Sequence, residues 1–305
     1  MKLHFIFFSN NMPLQLEPVR PGFVAFAAGV DLSRPLAPEE VTEMDRAMDE
    51  YGVLIFRKQP LQAEDQLAFA RHFGPLDLGL RKVSKSPNRV NHMELIDISN
   101  VDEGGQVADR SHRKVVGNIA NQLWHSDSSF QNPAARYSML SAVVLPPWGG
   151  QTEFCDLRAA YDELPEDMKS EVEELQVEHY ALHSRFLLGD DQYSEEQRNE
   201  IPPVVWPLVR THAGSGRKLL FIGAHATRIP GMTLAEGRML LMDLLEHATQ
   251  PHAVYRHEWQ VGDLVMWDNR CTLHRGRRYD LSIRRELRRT TTLDVQASDP
   301  LTSNA

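Results

Sequence analysis

Residues 121–130, NQLWHSDSSF, place a histidine and an aspartate two positions apart inside a run of strand-forming residues. Successive side chains of a strand point to opposite faces, so on a strand His125 and Asp127 would project together while Ser126 faced away. Two such groups on one wall of an apolar element need a common purpose, because burying them unpaired is costly. A shared metal ion would supply one. Two ligands do not make a metal site, however, so a third has to come from elsewhere in the chain.

Among the remaining histidines the best candidate is His274, in DNRCTLHRGRR, 147 positions after Asp127 in a late apolar strand behind the turn-like WDNR. A near His–Asp pair plus one distant His is the pattern of the facial triad of non-haem Fe(II) oxygenases, which leaves three octahedral positions open. The pair alone is weak, since an aspartate capping beside a surface or core histidine gives the same letters. Three open positions suit a bidentate 2-oxo acid and O2. The far carboxylate of 2-oxoglutarate would then need a cation with a hydroxyl beside it. Downstream of His274, Arg285, Leu287 and Arg289 alternate, so Arg285 and Arg289 should share a face, and the planar guanidinium fork matches a carboxylate. Thr152, in GGQTEF behind a Gly pair, could supply the hydroxyl. Arg284 and Arg288, on the opposite face, read as solvated beside Glu286.

The bulk of the chain fits an ordinary globular protein. It has 305 residues, 42% hydrophobic and 25% charged, enough to bury a sizeable core. The net charge of −9 and pI near 5.8 argue against an electrostatic nucleic-acid binder. Against that acidic background, seven arginines between Arg275 and Arg289 suggest a small anionic ligand. The two cysteines, Cys155 and Cys271, form no disulfide framework and read as reduced thiols of a cytoplasmic protein. MKLHFIFFSNNM is too short to span a membrane and lacks a small-residue cleavage site, and no other segment approaches membrane length. Met12 is an alternative start, because globular patterning begins after it.

Along the chain, residues 22–32 read as strands around a Gly turn. APEEVTEMDRAMDEYG is an amphipathic helix ending at Gly52, and AEDQLAFARHFG is a second helix stopped by Gly74. VLIFRK, YSMLSAVVLP, TEFCD, AVYRHEWQ, DLVMWDN, CTLHRGR and LRRTTTLDV read as strands, with VVWPLVRTH and RKLLFIG as a pair. Helices are expected around 157–177 and in LAEGRMLLMDLLEHAT. Residues 77–116 carry few periodic signals and read as a functional loop or lid. Strands dispersed over the whole length with helices at intervals predict a mainly β sandwich or barrel decorated by helices. The expected organisation is one domain over 12–296, with 1–11 and 297–305 as flexible ends.

LWHSDSSF, GGQTEFCDLRAAYDEL, VMWDNRCTLHRGRRYD and RRELRRTT together resemble the taurine/2,4-dichlorophenoxyacetate dioxygenase family of Fe(II)/2-oxoglutarate enzymes, and its aryloxyacetate-cleaving branch more than its taurine branch. The likeness runs from about Gly22 to Asp294, with the motifs in the family's order and spacing. It implies a double-stranded β-helix (jelly-roll) core and makes His125, Asp127 and His274 the iron ligands. It further implies that Thr152 and Arg285 hold the distal carboxylate of 2-oxoglutarate. Arg289 would sit near the cosubstrate's inner carboxylate and the substrate's anionic group, and Asn121 near the substrate. The ligand aspartate is present, which disfavours the family's halogenating variants. The implied reaction couples decarboxylation of 2-oxoglutarate to succinate and CO2 with hydroxylation of a small anion, such as 2,4-dichlorophenoxyacetate. A sulfonate such as taurine or an alkyl acid is the alternative substrate. A Zn-dependent hydrolase or a non-catalytic metal protein is the alternative class. The oligomeric state stays open, a homo-oligomer included.

Other histidines have plainer readings. His179 and His183, in EHYALHSR, have i,i+4 spacing but no zincin glutamate. His225 reads as a satisfied structural histidine or a pocket residue. Tyr180, Trp148 and Trp124 read as core or pocket wall.

Overall fold

DLVMWDN folds into the strand Leu264–Asp268, whose alternation organises the molecule. The computed structural model describes residues 13–82 and 89–295. Val265 and Trp267 pack on one face with Phe154, Leu140 and Leu287. Leu264 and Met266 pack on the other with Met44, Met48, Phe69 and Met139. A strand buried on both faces lies between two layers, and each layer can be traced from it.

The strand lies in the middle of a seven-stranded sheet, in the order Gln15–Arg20, Val24–Ala28, Val53–Phe56, Leu264–Asp268, Ala135–Val144, Glu286–Leu293 and Ile96–Ser99. Its one parallel pair, Val24–Ala28 with Val53–Phe56, needs a crossover. The helix Pro38–Tyr51 provides it, starting with Pro38 and acidic Glu39 and Glu40 and ending where Gly52 turns left-handed at φ +76°. This helix and Ala63–Arg71 cover the outer face of the sheet. Opposite the inner face lies a three-stranded sheet of Val254–His257, Thr152–Asp156 and Thr272–Gly276. Phe154 reaches across from it to Trp267, with ring centroids 5.6 Å apart. Cys155 and Leu273 point outward and join Leu220 and Leu244 under the helix Leu234–Ala248. Two facing, mostly antiparallel layers with helices outside make the jelly-roll core that the family resemblance implied.

The same alternation places the site. Leu273 faces outward, so His274 faces the interior, its ring tilted against Trp267 with centroids 4.6 Å apart. Leu287 faces the interior too, and Arg285 and Arg289, two positions to either side, line cavities on that face.

Several local readings change. Residues 121–130 are not a strand: a short 3-10 turn, Ala120–Gln122, leads to a single bridge at His125, and the chain then turns, with Ser128 at φ +45°. The first hairpin lies earlier than residues 22–32, pairing Gln15–Arg20 with Val24–Ala28. VVWPLVRTH divides in two. Val204–Pro207 pairs with Gln176–His179 and Val209–Thr211 with Lys218–Leu220, and Pro207, which has no N–H to give a ladder, stands at the break. His179 ends a strand while His183 begins the short helix His183–Phe186, so their spacing is not helical. The 77–116 stretch contains the strand Ile96–Ser99 and the helix Arg113–Ile119. Residues 83–88 and the expected flexible ends lie outside the described residues. No described helix is long and apolar enough to cross a membrane.

Candidate metal centre and its two cavities

His125 and His274 are joined by backbone: His125 N donates to His274 O at 3.0 Å and His274 N returns a bond to His125 O at 2.9 Å. This one bridge does what a longer strand was expected to do, setting the two imidazoles side by side with centroids 4.2 Å apart. Asp127 completes the group. Its Oδ1 lies 3.9 Å from His125 Nε2 and its Oδ2 3.8 Å from His274 Nε2. One ligand atom from each residue falls within 4.8 Å of the others, and all three residues are buried.

Hydrogen bonds and burial set the protonation of this group. His125 Nδ1 lies 2.7 Å from Leu123 O. A carbonyl only accepts, so the proton is on Nδ1 and the Nε2 lone pair faces Asp127. Burial lowers the pKa of both histidines, which keeps them neutral. For Asp127 burial works upward, but Arg289, His274 and His125, with the Ser138 hydroxyl, outweigh it and hold the pKa at about 2. Two neutral imidazoles and a carboxylate at neutral pH are the donor set a divalent iron accepts.

Asp127 is also held from behind. Its N–H donates to Asn269 Oδ1 at 3.0 Å and Ser138 Oγ donates to its Oδ2 at 2.7 Å. Asn269 in turn takes Trp267 Nε1–H and donates to Ser138 Oγ. Ser126 points the other way, onto Thr272 O. On the far side of the turn the Ser128 hydroxyl donates to buried Asp77. WDNR read only as a turn in the sequence, so the part Asn269 plays was not visible there.

Two cavities meet at the triad and share Asn121 and Arg289. The first is lined by Thr152, His274, Tyr279 and Arg285. Arg285 is buried, donates Nη2–H to Gly150 O at 2.8 Å, and has an Nε–H with no partner. Burial draws its pKa down to about 10, and no carboxylate among the described residues offsets that. Gly150 makes room for it: a Cβ there would lie 2.8 Å from Arg285 Nε, in a backbone at φ +72°. Thr152 Oγ1 accepts from Trp259 Nε1 at 3.1 Å, leaving its own proton to donate. A buried, uncompensated guanidinium beside a free hydroxyl proton fits the distal carboxylate of a dicarboxylic cosubstrate.

The second cavity, of about 530 Å³, is lined by His125, Asp127, Phe130, Arg185, His225 and Arg289 among others. Arg289 Nη1 donates to Asp127 Oδ1, and its Nε has no partner. His225 stands in this wall, its ring 4.7 Å from Phe130 and its Nδ1 unpartnered. Trp124 is core and Trp148 is exposed. His179 is satisfied by Ser129 Oγ and Phe221 O. A second cluster, His212, Asp268 and Cys271, has ligand-type atoms in reach. There, Asp268 is taken by Arg270 and His212, and burial pushes the Cys271 thiol up, which leaves no donor set for a cation. Arg284, by contrast, pairs with Glu286 as expected.

A profile of the family "Taurine catabolism dioxygenase TauD, TfdA family" matches residues 15–291. The chain is 66% identical to the alpha-ketoglutarate-dependent 2,4-dichlorophenoxyacetate dioxygenase of Cupriavidus pinatubonensis, over 93% of this chain and 99% of that one. It is 38% identical to the (S)-phenoxypropionate/alpha-ketoglutarate-dioxygenase of Sphingobium herbicidovorans, over 88% and 91%. Among solved structures, AAD-2 in complex with Mn(II) and N-oxalylglycine superposes with a TM-score of 0.88 at 44% identity, covering 92% of this chain and 98% of that one.

Proposed function

The chain belongs to the TauD, TfdA dioxygenase family, and from that premise we propose that it is an Fe(II)- and 2-oxoglutarate-dependent dioxygenase that cleaves aryloxyacetates such as 2,4-dichlorophenoxyacetate. In this reading residues 12–296 form one oxygenase domain. One observation carries it: a buried two-histidine, one-carboxylate set lies between two cavities, one of which ends on a buried arginine without a counterion among the described residues. A hydrolase would have no use for that second feature.

His125, Asp127 and His274 would hold the iron, which when bound activates O2 for decarboxylation of 2-oxoglutarate and oxidation of a substrate C–H. Arg285 and Thr152 anchor the cosubstrate's distal carboxylate. Arg289 lies where its inner carboxylate and the substrate meet, and Asn121 lines both cavities. Phe130 and Leu182 give the substrate cavity an apolar wall for an aromatic ring. Asn269 and Ser138 keep Asp127 in position. Hydroxylation of the carbon between ether oxygen and carboxylate gives a hemiacetal, which collapses to a phenol and glyoxylate, with succinate and CO2 from the cosubstrate.

The test is succinate formation with Fe(II), ascorbate and 2-oxoglutarate over a panel of aryloxyacetates, aryloxypropionates, taurine and alkyl sulfonates. Succinate rising with an aryloxyacetate, matched by phenol, is the expected result. Stimulation only by a sulfonate would overturn the substrate and keep the chemistry.

A further inference from the structure

An aryloxyacetate brings one negative charge into a cavity where most cations are already engaged. Arg89 and Lys114 both pair with Asp97. Arg289 is bonded to Asp127, so it would face three anions at once if it also received the cosubstrate's inner carboxylate and the substrate. Arg185 differs. It projects from the short helix His183–Phe186 into the same cavity, and among the described residues the one hydrogen bond of its guanidinium goes to the carbonyl of Gly117. A guanidinium carries five N–H donors, so most of its donors have no protein acceptor. Asp190 accepts from the Tyr193 hydroxyl and acts on Arg185 through its charge alone, without a hydrogen bond to it. Burial lowers the pKa of Arg185 by more than Tyr193 and Asp190 raise it, and the positive charges of Arg289 and Arg113 add to the lowering. A buried cation in this state gains from any anion that reaches it.

Its place in the cavity fits the chemistry. Arg185 lines the same cavity as His125, Asp127 and His225. In an aryloxyacetate the carbon to be oxidised is bonded directly to the carboxylate carbon, so the carboxylate anchor has to stand close to the metal face.

We infer that Arg185 receives the substrate's carboxylate and makes the site specific for small aryl-bearing carboxylates, leaving Arg289 to Asp127 and the cosubstrate. This rests on the aryloxyacetate reading above. The experiment titrates 2,4-dichlorophenoxyacetate and its uncharged primary amide into anaerobic protein loaded with Fe(II) and 2-oxoglutarate, comparing wild type, Arg185→Gln and Arg185→Lys by calorimetry. Loss of a charge-assisted hydrogen-bonded pair predicts an acid affinity about 10- to 100-fold weaker in Arg185→Gln, with amide affinity within about threefold of wild type. Arg185→Lys should fall between, since an ammonium keeps the charge but not the fork. If Arg185→Gln does not fold, Arg185→Lys decides by the same acid-to-amide ratio.

Acid and amide weakening together would mean that Arg185 only props the helix against Gly117, and an unchanged acid affinity would exclude it altogether. Either result overturns the inference. Phenol release by wild type is measured alongside. Acid binding that depends on Arg185 without phenol release would sink the aryloxyacetate reading but leave the carboxylate site standing. Wild type that binds neither compound would sink both.

Discussion

Arg285→Met should stabilise the ligand-free protein and abolish its response to 2-oxoglutarate. Burial moves the Arg285 pKa down from the ordinary guanidinium value to about 10. The folded value lies below the unfolded one, so the cost of keeping the charge is fully present below pH 10 and is relieved only as pH rises towards the ordinary guanidinium value. At neutral pH that cost is about 3 kcal/mol, taking ~1.36 kcal/mol for each pH unit of displacement. Methionine keeps a straight apolar stem and removes the charge, but it gives up the bond to Gly150 O and the Tyr279 ring 5.2 Å from the guanidinium. Those losses return about 1–2 kcal/mol. A net gain of about 1–2 kcal/mol corresponds to a melting temperature about 2–8 °C higher, given about 2–4 °C per kcal/mol for a large domain. With Mn(II) and 2-oxoglutarate at 100 times its Kd, wild type gains about 2.7 kcal/mol by linkage and the variant almost none. The order of the two melting curves therefore reverses between ligand-free and ligand-loaded samples in differential scanning calorimetry. A variant that melts below wild type without ligand, and still gains the full shift with it, would refute the assignment of Arg285 as the carboxylate clamp.

Three further outcomes follow from the same contacts. His274→Ala and Asp127→Ala should bring 2-oxoglutarate-dependent succinate formation down to background, and full activity in either would rule out the triad. Asn269→Ala strands two buried donors, the Asp127 N–H and the Trp267 indole N–H. It should cost about 2–4 kcal/mol in urea unfolding and weaken Fe(II) binding about 10- to 100-fold, so wild-type iron affinity would contradict the role given to Asn269. Burial holds His179 at about 3. Its folded pKa lies below the unfolded value near 6.5, so stability falls as pH drops below 6.5, by up to ~1.4 kcal/mol per pH unit. His179→Gln should flatten that part of the urea-midpoint profile between pH 7 and 4.5, and a profile parallel to wild type would show that another group sets it.

How much was legible depended on whether a feature was written locally. Leu264–Asp268 and Ala135–Val144 showed in the letters as short, largely apolar runs, the form a strand takes when it is packed on both faces. The convergence of Arg285 and Arg289 on the cavity beside His274 was legible from their period-two spacing, which survives even the ladder irregularity between Glu286 and Leu287. The conformation of 121–130 was not. Its apolar letters suit a strand, but a single bridge to His274 and the left-handed Ser128, tied to Asp77 fifty-one positions away, decide its path. Tertiary partners overrode local propensity there. Arg185 escaped notice because a four-residue helix has no periodic signature and its cavity is assembled from distant segments. Asn269 does sit in the turn that WDNR suggested, but the letters did not show that its amide bridges Trp267, Ser138 and Asp127.

The measurement that bears most directly on the account is product stoichiometry in one reaction: 2,4-dichlorophenoxyacetate, Fe(II), 2-oxoglutarate and O2 with wild-type protein, quantifying phenol, glyoxylate and succinate. The account predicts equimolar amounts of all three and no phenol when 2-oxoglutarate is omitted. Phenol released without 2-oxoglutarate would contradict it, because the ether would then be cleaved by chemistry that uses neither Arg285 nor the cavity around it.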